Sequence, residues 1–517
     1  MTGMIGSGQL KAARLLRGAE TRQSPRKPTA WAGVLRRHWP AVALLAAGLA
    51  LRVLAELAYR PALFYIDTTR YLYNGEGMDP VGYKGLLRAI LLVGNFDVVA
   101  AVQHLLGLAM AVVIYLLLRR RGVTRWLAAL AMAPVLLDAY QLQIEQMIMP
   151  VTLFEALIVA GLAILLWQPG AGWRRAAAAG VVLGTSATVA QVGEALLLPA
   201  VIYLLAAVKG AGEAGGGWRR AAGRAGALCA AFALPIVAYC TGSYVLTGNF
   251  FLSHSGVTSL YGRAAAAGDC ATLRLPPAEQ GMCPTPAQQA NGPDWLEHGQ
   301  ASPIRLYYAW LPRGDVDSLI SDFNHRVLTQ QPLRLLGAYA RDTVKLFALT
   351  RDGNAGDTII ARWQFQTQFP YYPPYASEAA VKAAAGQYGG GAPAVWRPVA
   401  ASLRSYQLHG GYTPGPLYAL LTLAGLAGSL ALLRRRAAPG TRQLAHACLL
   451  LFTAGACVLL VSDAFEYSWR YQLPALVTLA PAGALGISVV IRSIRRTLPR
   501  PGSEPRPAAA GTRRGGR

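Results

Sequence analysis

The sequence predicts an all-α membrane protein: a polytopic bundle of about ten transmembrane helices with an extracytoplasmic, loop-rich α-helical segment. The first observation is composition. Of the 517 residues, 54% are hydrophobic and 14% are charged, and the mean hydropathy is +0.32. Soluble proteins carry about 25% charged residues. The second observation is that the apolar residues come in runs of about 20, which is the length of a helix that crosses a bilayer.

The apolar runs set the predicted spans, and charged or glycine-rich stretches separate them. The fifth and sixth spans are short and are divided only by the polar stretch Gln191–Glu194. The predicted spans are 39–58, 98–118, 125–141, 147–167, 175–190, 192–208, 225–246, 415–433, 444–462 and 472–491.

The net charge of +24 comes mainly from arginine clusters in the two tails and in short loops such as Arg119–Arg121 and Arg434–Arg436. Cytoplasmic loops of membrane proteins carry this excess of basic residues. Placing every cluster in the cytoplasm predicts a multi-pass protein of the plasma (inner) membrane with both termini inside. The basic tails then face anionic membrane lipid, and we expect no nucleic-acid partner.

This topology divides the chain into five parts. Two helices are predicted inside the extracytoplasmic part, at 314–330 and 332–349, and the second either lies on the membrane surface or packs on its own segment. The stretch 366–398 is predicted to be a mobile loop. The parts are a cytoplasmic basic tail (1–38), an N-terminal membrane core (39–246) with a first outer loop (59–97), the extracytoplasmic segment (247–412), C-terminal membrane helices (413–491) and a disordered cytoplasmic basic tail (492–517).

The six cysteines fall into two groups. Cys270 and Cys283 lie in the extracytoplasmic segment, where disulfide bonds form and persist. The sequence therefore favours a disulfide between them, with two free thiols as the alternative. The other four lie within predicted spans and are interpreted as small apolar residues: Cys229, Cys240, Cys448 and Cys457.

Asp67 lies just outside the first predicted span, in the stretch Tyr65-Ile66-Asp67-Thr68-Thr69-Arg70-Tyr71. An ionised carboxylate held against lipid is costly, so Asp67 favours water or a cationic partner. It is either a functional residue or the N-cap of a short helix that begins at Thr68.

Four stretches occur in a characteristic order, all at the predicted outer face. They are Asp67 with Arg70-Tyr71, then Asp79-Pro80-Val81-Gly82-Tyr83, then the acidic region with Gln143, Glu145 and Glu155, and last Trp469-Arg470-Tyr471-Gln472-Leu473-Pro474. Together they resemble the motifs of the GT-C superfamily of integral-membrane glycosyltransferases. Its members include protein mannosyltransferases, oligosaccharyltransferases and aminoarabinose transferases of lipid A.

The sequence departs from the family pattern in three places. It has Asp67-Thr68 where many relatives have two acidic residues, and Tyr83-Lys84 where many have Pro-Pro or Tyr-Pro. The Trp-Trp-Asp motif of oligosaccharyltransferases is missing from the sequence. These departures leave the sugar, the acceptor and any bound divalent cation open, and no cofactor is certain.

The resemblance implies transfer of a sugar from a polyprenyl-phosphate donor to an unknown envelope acceptor at the outer face, by inverting displacement. Asp67 would be the general base, a role worth about 10²–10⁴-fold in rate. Glu145 would be a second acid or a metal ligand, or else an acidic residue near the start of the fourth span.

The resemblance also implies cations at the donor phosphate, since fixed positive charge stabilises a leaving phosphate. Arg470 and Tyr471 would bind the donor, and Arg470 alternatively pairs with Glu466. Tyr71 and Tyr83 would stack on sugar rings, or belong to an interfacial aromatic belt. The further donor-binding cations would be Lys84, Arg88 and Arg70.

Two other classes of function compete with a transferase. A transporter or lipid flippase would carry polar residues near the bilayer midplane, whereas those of this chain are predicted at the outer ends of spans. A scaffold for envelope assembly would use the extracytoplasmic segment as a binding domain. The histidines His254, His298, His325 and His409 lack the spacing of zinc ligands, so no metal site is predicted.

Overall fold

The structure, a computed structural model, describes residues 30–73, 80, 82–206, 217–253, 255–353, 355–433 and 438–497. These residues are helical almost throughout, which confirms the predicted all-α class. Asp79 and Val81 of the second motif, His254, the cluster Arg434–Arg436 and most of both predicted tails lie outside the described residues.

The first half of the chain forms long helices with short connections. A short strand and a 3₁₀ helix interrupt them. In order they are α1 (Ala30–Arg37), α2 (Trp39–Ala58), β1 (Tyr59–Arg60), α3 (Thr68–Tyr73), α4 (Gly82–Leu91), α5 (Phe96–Arg120), α6 (Arg125–Leu137), α7 (Ala139–Gln146), α8 (Val151–Leu166), α9 (Trp173–Val189), a 3₁₀ helix (Gln191–Leu196), α10 (Leu197–Ala206) and α11 (Gly217–Thr247).

The second half begins with the segment predicted to be extracytoplasmic, 247–412, and ends with three long helices. Its elements are α12 (Ser255–Ala267), α13 (Pro277–Gln280), α14 (Pro286–Gln289), α15 (Gly292–His298), α16 (Pro303–Trp310), α17 (Arg313–Gln330), α18 (Pro332–Lys345), a 3₁₀ helix (Ile360–Trp363), α19 (Glu378–Tyr388), β2 (Ala394–Val395), α20 (Arg397–Leu408), α21 (Gly415–Leu430) with a 3₁₀ helix (Ala431–Leu433), α22 (Pro439–Phe465), a 3₁₀ helix (Trp469–Gln472) and α23 (Leu473–Thr497).

Among the described residues, six helices are long and apolar enough to cross a bilayer, and a seventh span arises if α6 and α7 count as one. The chain is thus a multi-pass membrane protein, but the predicted number of about ten spans is not confirmed. The fourth to sixth predicted spans correspond to helices of 16, 17 and 10 residues, the last preceded by a 3₁₀ helix. Each helix is shorter than the roughly 20 residues of a typical span.

The acidic region that the sequence predicts between the third and fourth spans, at the outer face, is a buried helix. Helix α6 carries Pro134 near its end, and α7 then leaves at an angle of 50°. The Asp138 side chain caps α7 by accepting from the Tyr140 N–H at 3.0 Å. All eight residues of α7 are buried, so Glu145 lies inside the bundle.

The chain beyond α2 is fixed by main-chain hydrogen bonds to two distant segments. Strand β1 pairs with β2, and Ala58 accepts from the Trp396 N–H at 2.9 Å. The Leu63 N–H donates to Gln146 O, and the Ile148 N–H donates to Leu63 O, both at 3.0 Å. The stretch predicted as a mobile loop, 366–398, therefore contains α19 and a strand that holds the start of the first outer loop.

The extracytoplasmic segment has a hydrophobic core of its own, in which Tyr261 of α12 packs on Phe323 of α17. Both helices predicted inside this segment are present, as α17 and α18. Cys270 and Cys283, the pair favoured by the sequence, are joined by a disulfide with a Cα–Cα distance of 5.9 Å.

Arg351 connects this segment to the membrane bundle. Its guanidinium donates to Gln472 Oε1 at 2.8 Å and to Asp138 Oδ2 at 3.4 Å, and it lies 4.2 Å from the centre of the Tyr140 ring. Buried, charge-assisted hydrogen bonds of this kind are strong and directional. They hold the extracytoplasmic segment, α7 and the 3₁₀ helix that carries Arg470 in one arrangement.

Candidate functional site

Asp67 occupies the N-cap position of α3, because its carbonyl accepts from the Tyr71 N–H at 3.2 Å. Thr68 fixes the turn before this helix. Its hydroxyl accepts from the Tyr65 N–H at 2.8 Å and donates to Ile148 O at 3.1 Å. The backbone of Asp67 is therefore held in place, and its carboxylate is directed towards two arginines.

The Asp67 carboxylate pairs with Arg70 on the same helix turn and with Arg470 from the other end of the chain, at 3.9 Å from Arg470 Nη1. Burial would raise the pKa of Asp67, but the charges of Arg70 and Arg470 outweigh it and hold the pKa below its ordinary value. The side chains of Asp67 and Arg470 stay 14% and 19% exposed. The structure thus brings three predicted residues into one largely buried, charge-paired cluster.

Arg470 is held from its other sides by aromatic rings. Its guanidinium lies 5.0 Å from the ring centres of Trp363 and Tyr471 and donates to the Tyr471 hydroxyl at 3.2 Å. That hydroxyl in turn donates to Glu466. The alternative pairing of Arg470 with Glu466 therefore runs through Tyr471, and Asp67 is the carboxylate that contacts Arg470 in the structure.

Glu466 titrates abnormally at this position. Burial raises its pKa to about 7, with a further contribution from Asp294 and an opposing one from Arg470. Glu466 therefore changes its charge near neutral pH, while Asp67 stays ionised. The pKa values of Asp67 and Glu466 shift in opposite directions, because two cationic partners outweigh burial at Asp67 whereas burial dominates at Glu466.

The extracytoplasmic segment supplies a second set of residues that the sequence-based reasoning missed. Trp363 packs on Tyr65 with ring centres 4.7 Å apart, and Tyr372 packs on Tyr65 at 5.3 Å. Arg362 donates to Asp294 Oδ2 at 3.3 Å. No local pattern marks these residues, because only the docking of this segment against the first outer loop brings them to Asp67.

A cavity of about 620 Å³ opens beside the Asp67 turn. Ile66, the residue before Asp67, forms part of its wall, and the remaining wall comes from the chain around the 3₁₀ helix Ile360–Trp363. Its polar lining residues can both donate and accept hydrogen bonds. The lining residues are Ile66, Ile359, Ala361, Arg362, Gln366, Thr367, Gln368, Phe369, Pro370, Tyr371, Tyr372 and Pro373.

Glu145 lies in a different environment, fully buried between α2, α5 and α7. Its carboxylate pairs with Arg52 at 2.8 Å and with His104 at 3.0 Å. A side chain at Gly107 would collide with both Glu145 and Arg52. These contacts support a structural role for Glu145, and the catalytic or metal-binding role stays a prediction.

The remaining predicted residues lie on α3 and α4. Tyr71 and Tyr83 are buried and pack edge to face with ring centres 5.4 Å apart, and the Tyr83 hydroxyl donates to Gln103 at 2.9 Å. Their stacking on sugar rings and their place in an interfacial belt both stay predictions. Lys84 is buried and Arg88 is exposed, both on α4; their role in donor binding stays a prediction.

Among the described residues, the side chains around Asp67 do not form a cation site. Across the described ranges, no group of three His, Cys, Asp or Glu side chains is arranged to hold a metal ion. The carboxylate of Asp67 faces two guanidinium groups, and these would repel a divalent cation. We therefore derive no step through a metal.

No known protein-family profile matches the chain, and no curated protein matches it in sequence. Two solved structures, both of the GT-C superfamily, are similar to it. The S. cerevisiae protein O-mannosyltransferase complex bound to the sugar donor is 17% identical over 44% of this chain and 36% of that one, with a TM-score of 0.33. The archaeal oligosaccharyltransferase from Archaeoglobus fulgidus, in complex with an inhibitory peptide and a dolichol-phosphate, is 13% identical over 90% of this chain and 52% of that one, with a TM-score of 0.39.

The chain spans about a third and about half of the lengths of these two solved structures. Similarities this low assign no function, so any function must be argued from the site itself. Protein mannosyltransferases and oligosaccharyltransferases are two of the classes that the sequence motifs resemble.

Proposed function

We propose that the chain is a membrane glycosyltransferase that moves a sugar from a polyprenyl-phosphate donor to an envelope acceptor at the outer face of the membrane. The observation that carries this proposal is the charge-paired, partly exposed cluster of Asp67, Arg70 and Arg470 beside the cavity at Ile66. A base needs a carboxylate within reach of the acceptor proton. A leaving phosphate needs fixed cations. The cluster offers both at one place.

In this proposal the donor phosphate binds at Arg470, whose contact with Asp67 is loose at 3.9 Å. The phosphate then competes with Asp67 for the guanidinium. When the phosphate neutralises part of the positive charge of Arg470, the pKa of Asp67 rises. Donor binding itself therefore makes the Asp67 carboxylate a stronger base. Arg70 stays on the same helix turn and keeps Asp67 oriented.

The transfer step is a single displacement. Asp67 accepts the proton of the acceptor hydroxyl as that oxygen forms a bond to the anomeric carbon. The bond from the anomeric carbon to the phosphate oxygen breaks, and its electron pair leaves with the polyprenyl phosphate beside Arg470. One displacement inverts the anomeric configuration. The acceptor would reach Asp67 from the cavity at Ile66.

A transporter or flippase remains the alternative, and one observation bears on it. Polar residues do lie inside the bundle, contrary to the expectation that they gather at span ends, because Arg52, His104 and Glu145 are buried there. Buried intramembrane charges often mark transport pathways. Here, however, the terminal nitrogens of Arg52 donate to Glu145 and to the carbonyls of Val135 and Leu136, each at 2.8–3.1 Å. Because the charges of this cluster pair with one another, a structural role is favoured over a transport pathway. No observation specifically supports a scaffold function.

Replacing Arg470 by Ala should weaken donor binding far more than folding. Removing one partner of a buried, hydrogen-bonded charge pair typically costs about 2–5 kcal/mol, which corresponds to roughly a 30-fold to several-thousand-fold rise in Kd. Arg470→Lys should recover only part of the loss, since an ammonium group lacks the planar fork of donors. The measurement is the Kd for a polyprenyl-phosphate sugar with the full chain in nanodiscs.

The matched control is Arg397→Ala, which removes an exposed arginine at the start of α20 and should leave the Kd unchanged. Donor binding by Arg470→Ala at the wild-type Kd would show that Arg470 only supports the Asp67 turn. The proposed donor site would then be wrong.

A further inference from the structure

Helix α18 has one buried face and an exposed apolar face that points away from the protein. Leu333, Leu336 and Val344 are 80%, 57% and 68% exposed. With 3.6 residues per turn, these three positions fall within about 80° of one another around the helix. The opposite side of the helix is buried and carries Leu335, Ala338 and Asp342. Exposed apolar stripes of this kind mark interaction surfaces.

Helix α18 is attached to the outer ends of the last three spans. The Tyr339 hydroxyl donates to Leu460 O, near the end of α22, at 3.0 Å. Gln472, directly before α23, donates to Leu346 O at 2.9 Å. The chain after the helix also packs on the start of α21, where a side chain at Gly415 would collide with Ala348 O. These attachments place α18 level with the outer ends of spans α21, α22 and α23.

The exposed stripe continues a surface that faces lipid. Leu460 and Val461 near the outer end of α22 are exposed apolar residues, as are Leu417 and Leu420 in the first turns of α21. Side chains on long apolar spans that are exposed in the monomer face the acyl chains. The stripe on α18 therefore lies beside the acyl boundary of the outer leaflet.

Charge on α18 also suits a lipid surface. Arg334 and Arg341 lie on one flank of the stripe, and both are exposed. Arg334 pairs with Asp269 at 3.0 Å yet keeps more than half of its side chain open. A basic flank beside an apolar stripe is the pattern of helices that lie in the membrane interface, where arginines meet lipid phosphates.

We propose that α18 is an interfacial helix, with its exposed stripe in the headgroup–acyl boundary of the outer leaflet and Arg334 and Arg341 on lipid phosphates. The helix is 14 residues long, or about 21 Å, which suits a helix that lies flat and does not span. Docking does not depend on the proposed function. One consequence does depend on the proposed function. The hydrogen bond from Gln472 to Leu346 O connects α18 to the turn that carries Arg470, so the position of α18 in the interface would hold this turn at the depth of the donor phosphate.

The test uses fluorescence quenching in the full chain. The four free cysteines are replaced, and a single cysteine at Leu336 or Val344 is labelled with bimane. The protein is placed in nanodiscs of phosphatidylcholine and phosphatidylglycerol that contain a lipid with a quencher near the headgroup. The matched control is a cysteine at Ser321, an exposed polar residue of α17. We expect the lipid quencher to act on positions 336 and 344 but not on 321, and aqueous iodide to do the reverse.

Two results would overturn the proposal. If iodide quenched the labels at positions 336 and 344 as strongly as the label at position 321, α18 would lie in water. Protection of both positions from both quenchers would mean that protein, such as a second copy of the chain, covers the stripe. Arg341→Glu provides a further check, since it should reduce lipid quenching at 336 in nanodiscs with phosphatidylglycerol more than in phosphatidylcholine alone.

Discussion

Asp67→Asn should lower the rate of sugar transfer by about 10²–10⁴-fold, the usual contribution of a general base, while donor binding is preserved. Asparagine keeps the shape of the side chain and caps a helix about as well as aspartate, so the α3 turn should stay intact. The substitution removes the negative charge beside Arg70 and Arg470, so the affinity for a donor phosphate should stay equal or increase. Single-turnover kinetics and donor Kd, both with the full chain in nanodiscs, separate the two effects.

Asp97→Asn is the matched control, because Asp97 is another partly buried carboxylate of the predicted first outer loop, in the first turn of α5. It should transfer sugar at the wild-type rate. Since the pKa of Asp67 in the protein without donor is held below its ordinary value, wild-type kcat/KM, which reports the free enzyme, should not decline until the pH is below the usual aspartate range. A folded, donor-binding Asp67→Asn protein with near-normal transfer would exclude Asp67 as the base.

Glu145→Ala should destabilise the protein by about 3–5 kcal/mol, which is the typical cost of leaving a buried charge without its partner. The charge left behind is that of Arg52, buried beside Leu136 and Val135. The double variant Arg52→Met with Glu145→Leu removes both charges and should recover much of the loss, because apolar residues often replace a buried ion pair without penalty. The free energy of unfolding in mixed micelles measures both variants.

Glu378→Ala is the control for this comparison. Glu378 is an exposed acidic residue that pairs with Lys382 on α19, and exposed pairs contribute about 0–1 kcal/mol. A structural Glu145 predicts that transfer per folded molecule survives in the double variant. If Glu145→Gln instead unfolded with wild-type stability but had lost sugar transfer, Glu145 would have the catalytic role that the sequence resemblance implied.

The fold class could be predicted because long apolar runs have only one stable form in a bilayer, a helix. The number of spans could not, because hydropathy marks apolar runs but does not show where a helix stops. Residues 139–146 illustrate the limit. The pattern around Glu145 predicted a stretch between two spans at the outer face, yet Asp138 caps a buried helix there, Arg52 pairs with the acid, and His104 hydrogen-bonds to it.

The central pair of the site could be predicted because Asp67 and Arg470 each lie at the outer end of a recognisable apolar run. Their contact at 3.9 Å agrees with a shared position at the outer face. The aromatic and charged residues around them could not be found in this way. Trp363, Arg362 and Asp294 belong to the extracytoplasmic segment, whose docking depends on tertiary contacts such as those of Arg351. No periodicity or spacing in the sequence encodes those contacts.

The most direct test uses a polyprenyl-phosphate sugar with one radiolabel in the sugar and another in the lipid. The donor is offered with an envelope extract to proteoliposomes that contain the full chain. A glycosyltransferase predicts that the two labels separate: the sugar label enters an acceptor with inverted anomeric configuration, and the lipid label appears as free polyprenyl phosphate. Asp67→Asn should block this separation. Two results would contradict a glycosyltransferase. Passage of the donor across the membrane with both labels still joined would indicate a flippase, and a donor that is neither cleaved nor moved would leave a scaffold.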